Sequence, residues 1–328
     1  MPQMQSWCED LISINDLGPS GISSVLDLAA LIKARPVDFR GALAGKQLVM
    51  FFEKPSLRTR LTFEAGITSM GGHAFFVDQT ASRIDAREKL SDIARNLERW
   101  VDGVVLRTFA HATVVGMAEH ASIPVINALS ELEHPCQALA DYLTLQEKFG
   151  DLRNVTLAYV GDGNNVAHSL MLAAACLGST LRVATPDGYG PKSEIVKQAK
   201  RIAVTTGATI QVLSDVHKAV SGADAIYTDV WASMGQEGEA AARKQIFGGY
   251  QVNEKLFAHA APHAIFMHCL PAHRGEEVID AVIDSPRSVV FDQAENRPHV
   301  QKAIMLMLLG GSAPRISAGQ KKSRRIHA

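Results

Sequence analysis

Two hydroxyls and two guanidinium groups crowd into the run Ser56, Leu57, Arg58, Thr59, Arg60. Those types at that spacing suit an anion of phosphate size, since arginine forks donate paired hydrogen bonds to phosphate oxygens and hydroxyls add single ones. Just upstream, the apolar run 48–52 ends at Lys54 and Pro55, and a helical pattern then begins in which Leu61, Ala65 and Thr68 share a face. The run therefore lies at a helix start, where the first N–H groups lack backbone partners and attract anions. Capping by Ser56 or Thr59, with the arginines solvated, fits the same residues.

Other polar clusters sit where predicted strands end, which is where open parallel sheets bind ligands. Arg107 follows the strand at 104–106. His134, Pro135, Cys136 and Gln137 open a helix after the strand near Val125, and Gly161, Asp162, Gly163, Asn164 and Asn165 follow Val160. Asp229 precedes Ser233, Met234 and Gly235; His268, Cys269, Leu270 and Pro271 follow Met267; Glu295, Asn296 and Arg297 follow Phe291. Each has a structural alternative. His134 and Gln137 fit a helix start, Cys269 a small core residue, Asp229 a turn, Met234 a core plug and Arg297 a surface ion pair. The segment 161–165 suggests a dinucleotide loop but lacks the third glycine and the acidic residue about 20 positions on. A Gly-x-Ser-x-Gly elbow and closely spaced His or Cys metal ligands are also missing.

The elements that must hold these residues alternate in type. Residues 1–45 read as a helical lead-in, with Val25, Leu28, Ala29 and Ile32 on one face. Strands are then predicted at 73–77, 104–107 and 124–127, with helices at 88–100, 111–120 and 134–149. In the second half, strands at 155–160, 181–184, 209–213, 225–228, 264–267 and 289–291 are separated by helical segments. This predicts an α/β protein of two domains, each a mainly parallel sheet flanked by helices. The hinge falls near 148–154, dividing a first domain at 1–147 from a second at 148–296; a helix at 297–311 and a mobile basic tail at 312–328 follow.

With 328 residues, 47% of them hydrophobic, the chain has material for two cores. Its net charge of -1 excludes a global attraction for nucleic acid or an anionic membrane, so any anion site must be a local concentration of arginine. Cys8, Cys136, Cys176 and Cys269 are scattered, and the N-terminus has no basic region followed by an apolar one, which predicts a reduced, cytoplasmic protein. No apolar run approaches the ~20 residues of a membrane span.

Taken in order, the 56–60 run, Arg107, the 134–137 cluster, the segment from Asp229 to Gly235, the 268–271 cluster and Glu295 to Arg297 resemble the aspartate/ornithine carbamoyltransferase family. The Ser233, Met234, Gly235 element points to its ornithine-using branch. The resemblance implies transfer of a carbamoyl group from carbamoyl phosphate to the δ-amine of L-ornithine in arginine metabolism, with no metal or organic cofactor. It implies that Ser56, Leu57, Arg58, Thr59, Arg107 and Arg297 hold the phosphate, Leu57 through its backbone alone. His134 and Arg107 would bond the carbamoyl oxygen; Gln137, Cys269 and Leu270 would hold its nitrogen. Arg107, His134 and Cys269 would be the catalytic group, and Asn165, Asp229, Ser233 and Met234 would grip ornithine. It also implies a homotrimer or a multiple of trimers, and a C-terminal helix packed back on the first domain. Two departures stand out: Leu57 replaces a common threonine, and Arg83 stands where a glutamine often reaches a neighbouring subunit's phosphate. An acylated ornithine or putrescine as acceptor remains an alternative, as does, more distantly, a non-catalytic nucleotide-binding protein.

Overall fold

Three of the four strands of the first sheet are short apolar runs buried almost throughout, the pattern of parallel strands covered on both faces, while the edge strand at 73–78 is exposed to half-buried. Its strands are β1 (Gln47–Phe52), β2 (His73–Asp78), β3 (Gly103–Arg107) and β4 (Val125–Leu129), all parallel, in the order β2-β1-β3-β4. The second sheet contains β5 (Thr156–Val160), β6 (Thr180–Ala184), β7 (Thr209–Leu213), β8 (Ala225–Thr228) and β9 (Ile265–His268), also parallel, ordered β7-β6-β5-β8-β9. These relationships come from a computed structural model that describes residues 8–79, 84–232 and 237–310.

The helices are α1 (Gly18–Ala34), α2 (Leu57–Ser69), α3 (Leu90–Leu97), α4 (His111–His120), α5 (Pro135–Phe149), α6 (Asn165–Leu177) and α7 (Ser193–Thr206). Shorter α8 (Val216–Val220), α9 (Ala240–Phe247), α10 (Glu254–Phe257) and α11 (Asp280–Ile283) precede the long α12 (Val290–Leu308). The largest core runs between the sheets, joining β1, α1, α5, α6 and α12. Both sheets reverse their strand order once, between β1 and β3 and between β5 and β8. At such a switch point, adjacent loops leave in opposite directions and open a crevice.

The alternation predicted from the sequence is present in both halves, but one strand is not. Val289 is the N-cap of α12, and Val290 and Phe291 begin it. Contact with the sheet is limited to a bridge at Ser288, where the Phe266 N–H donates to the Arg287 carbonyl at 2.9 Å and the Val289 N–H donates to the Phe266 carbonyl at 3.0 Å. Two valines and a phenylalanine favour a strand locally. Packing of the 19-residue α12 against α1, α2 and α5 overrides that preference. The helix expected from 297 accordingly starts earlier and runs through Arg297 and Pro298. Arg83, Ser233, Met234 and the 312–328 tail lie outside the described residues.

Candidate active site

Ser56 takes an extended conformation (φ -160°, ψ 106°) as the N-cap of α2. Its Oγ accepts from the Thr59 N–H at 3.3 Å and donates to Thr59 Oγ1 at 3.0 Å. The N–H groups of Leu57 and Arg58, one residue into the helix, have no helical acceptor. Leu57 turns its side chain to solvent, while Thr59 is buried. Arg297 reaches this turn from the other end of the chain, its Nη2 donating to Thr59 Oγ1 at 2.9 Å.

Arg107, at the end of β3, is 5% exposed and Arg297 is 4% exposed, each with its Nε buried and unpartnered. Burial and the neighbouring Arg297 push the Arg107 guanidinium down to about 9, and burial likewise lowers Arg297. Two desolvated like charges side by side favour an anion between them.

His134 precedes Pro135, which starts α5 at the first helical position, where its missing N–H is harmless. The His134 N–H donates to Ser169 Oγ at 2.9 Å, and that hydroxyl donates to Glu133 Oε2 at 3.1 Å. Glu133 also accepts the Ile14 N–H at 3.1 Å, and burial pushes its carboxyl up to about 7. Burial, reinforced by Arg297 and Arg107, holds the His134 imidazole well below its usual range. It is a neutral ring, able to donate one hydrogen bond without adding a third charge.

Acceptors gather on the opposite wall. Asn164 caps α6 through Oδ1, and its Nδ2 donates to Asp229 Oδ2 at 2.8 Å. Asn165 opens α6 and donates to the Ser130 carbonyl at 2.6 Å, fastening α6 to the chain beyond β4. Asp229 Oδ1 accepts from the Val230 N–H at 2.8 Å and from Cys269 Sγ at 2.9 Å. Burial, then the Asp229 carboxylate, raises the Cys269 thiol well above its usual range, so it serves as a protonated donor. Asp229 leads into the segment carrying Ser233 and Met234. The root of that segment is fixed by buried Arg243, whose Nη1 donates to the Trp231 carbonyl at 2.9 Å and pairs with Asp162 at 3.0 Å.

Two local features explain residues the sequence left ambiguous. A Cβ at Gly163 would stand 2.2 Å from Pro191 N, so that glycine lets two loops pack and has no need of a pyrophosphate to explain it. Leu270 has φ 58°, a left-handed conformation that costs a leucine about 1–2 kcal/mol. Its N–H donates to His268 Nδ1 at 2.9 Å, while His268 Nε2 meets the buried Glu277 carboxylate at 3.2 Å.

One cavity of about 430 Å³ joins these walls. Ser56, Leu57, Arg58, Thr59, Arg107 and Arg297 line one side, with His134, Gln137, Asn165, Asp229, Cys269 and Leu270 around the remainder. Every predicted site residue that is described lines it. The remaining lining residues, which sequence reasoning did not assign to the site, are Lys54, His273 and a set of apolar side chains that includes Pro55, Leu129 and Val166. Lys54, poised over the Phe109 ring at 4.5 Å, stands two residues before the Ser56 run and was legible from that proximity. The apolar members carry no chemical signature.

Residues 9–147 match the family model described as the carbamoyl-P binding domain of aspartate/ornithine carbamoyltransferase, and residues 153–308 match its Asp/Orn binding domain. The chain is 50% identical over 307 residues to an ornithine carbamoyltransferase of Pyrococcus abyssi, covering 92% of this chain and 96% of that protein. It is 52% identical over 302 residues to one from Symbiobacterium thermophilum, covering 92% and 97%. The solved structure of the Pyrococcus furiosus ornithine carbamoyltransferase superposes with a TM-score of 0.90 at 48% identity, covering 94% of this chain and 99% of that one.

Proposed function

The chain belongs to the aspartate/ornithine carbamoyltransferase family, and from that premise we infer that it transfers the carbamoyl group of carbamoyl phosphate to the δ-amine of L-ornithine, giving L-citrulline and phosphate. The observation that carries the reading is the convergence of Arg107, Arg297 and the α2 N-terminus on a cavity whose other wall presents Asp229. A dianion and a diamino acid need those opposite chemistries a few ångströms apart.

In this reading residues 1–147 bind carbamoyl phosphate and 148–296 bind ornithine. Ser56, the backbone N–H of Leu57, Arg58, Thr59, Arg107 and Arg297 take the phosphate. Gln137 and the backbone around Cys269 and Leu270 take the carbamoyl nitrogen. Asn165 and Asp229, together with Ser233 and Met234 beyond the described residues, take the amino-acid end. The neutral δ-amine attacks the carbamoyl carbon, the carbonyl becomes a tetrahedral oxyanion, and the C–O bond to phosphate breaks. Arg107 and His134 donate to that oxyanion; one well-placed donor is worth about 3 kcal/mol. Because His134 is neutral, its donated bond strengthens only as negative charge develops. The protonated Cys269 thiol cannot be the base, which leaves Asp229 or the departing phosphate to receive the amine's proton.

Biosynthetic direction is the favoured assignment, supported by a relative from Pyrococcus furiosus, 49% identical, named anabolic. A homotrimer or a multiple of trimers is the assembly that family membership suggests, and Phe75, exposed on the edge strand β2, is compatible with a subunit contact; four free cysteines support a reducing cytoplasmic setting. Among the described residues no helix is long and apolar enough to cross a membrane. The deciding experiment is a citrulline assay with carbamoyl phosphate and a panel of ornithine, N-acetylornithine and putrescine. Turnover with ornithine alone is expected; preference for either other amine overturns the acceptor assignment. Sedimentation analysis tests the trimer.

A further inference from the structure

Asp141 lies one turn along α5 from Gln137, fully buried and behind the cavity wall. Its Oδ1 accepts two hydrogen bonds, from Gln137 Nε2 at 2.8 Å and from Gln293 Nε2 at 2.6 Å. Gln293, on α12, accepts the His268 N–H through Oε1 at 3.0 Å. One carboxylate oxygen thus ties a cavity residue on α5 to the end of β9, immediately before Cys269 and Leu270. Gln137 Oε1 is buried without a partner in a side chain that lines the cavity.

These contacts decide which end of an amide faces the ligand. Oδ1 already receives the Gln293 donor and can only accept from Gln137, so Nε2 turns inward and the oxygen is left for the cavity. We propose that Asp141 is a specificity-determining positioning residue that fixes the Gln137 amide with its oxygen toward the ligand, so that the site selects an acyl phosphate bearing an NH2 group over one bearing a methyl group. The proposal rests on carbamoyl phosphate being the donor substrate. A site built to accept from N–H penalises the methyl analogue because Gln137 Oε1 is then buried unpaired. Burial pushes the Asp141 carboxyl up to about 7, yet a proton on the unpartnered Oδ2 leaves Oδ1 an acceptor. The orientation therefore holds in both protonation states.

The test compares kcat/KM for carbamoyl phosphate and acetyl phosphate with ornithine as acceptor, using acetyl phosphate as a competitive inhibitor if its turnover is too slow. Wild-type protein that forms no citrulline sinks the parent reading before any variant is made. With an active wild type, Asp141→Leu should lower the preference for carbamoyl phosphate about tenfold or more, to the level of Gln137→Met. The double variant should lose no further selectivity, since Asp141 acts through Gln137. Asp141→Asn, which keeps Oδ1 as an acceptor, should retain the preference. An equal fall with both acyl phosphates in Asp141→Leu, or a loss in Asp141→Asn as large as in Asp141→Leu, overturns the proposal. If Asp141→Leu fails to fold, neutron diffraction from wild-type crystals locates the amide deuterons directly. Deuterons facing the cavity instead of Asp141 also overturn it.

Discussion

At the phosphate end, the cavity is walled by Arg58, Arg107 and Arg297 and by the first N–H groups of α2; at the amino-acid end, the central group is one carboxylate, Asp229, held by donors from Asn164, Val230 and Cys269. The first wall is compact in sequence except for Arg107 and Arg297, and its backbone donors come with the helix. The second is drawn from the ends of β5, β8 and β9, with nothing contiguous about it. A cation-rich wall built on a helix start needs little more than its motif to form. A single acceptor must instead be held by its surroundings, or it would rotate toward the arginines across the cavity.

That contrast can be broken at either end. The largest effect is expected from Arg58→Ala, which should lower kcat/KM for carbamoyl phosphate about 10³-fold by removing a charge-assisted contact; near-normal steady-state rates would detach the 56–60 run from phosphate. Next, Asp229→Asn should cost about 10²-fold in kcat/KM for ornithine, because it weakens a bond to a charged amine. Calorimetric binding of carbamoyl phosphate should be unchanged, and a matching loss there would erase the division between the walls. Ser56→Ala should reduce turnover about tenfold and stability by about 1 kcal/mol, since one oxygen caps α2 and orders Thr59. A loss of stability with full activity would make the serine a cap alone.

The smallest effect on turnover, one read in stability instead, concerns the support behind both walls. Burial lifts Asp141 from its ordinary 3.8 to about 7, so the folded chain keeps a proton that the unfolded chain releases. The resulting stabilisation is complete below about pH 4 and is lost as pH rises through about 7. Asp141→Asn has no such loss. Its melting temperature relative to wild type should therefore rise between about pH 5 and about pH 8, and a constant difference would place the ionisation elsewhere.

The alternating α/β pattern, both sheets and the polar strand ends were legible in the sequence because each depends on short-range periodicity and turn chemistry. The 289–291 segment shows the limit of that reading. Its β-favouring residues form the N-cap and first turn of α12, since a helix burying its face on α1 and α5 outweighs three local preferences. The distinction between Asn164 and Asn165 was equally invisible. Adjacent identical residues point one to Asp229 and the other to Ser130 because they straddle the start of α6.

By itself the sequence determined which groups could bind a dianion and which could hold an amine, because residue type and helix position fix donor and acceptor character. Only the tertiary structure decided that they share one cavity. Loops that follow strands at both switch points line it, Arg297 meets Thr59 across 238 residues, and one oxygen of Asp141 receives Gln137 and Gln293 together. Such contacts depend on how separately formed layers pack, and the local residue pattern does not encode them.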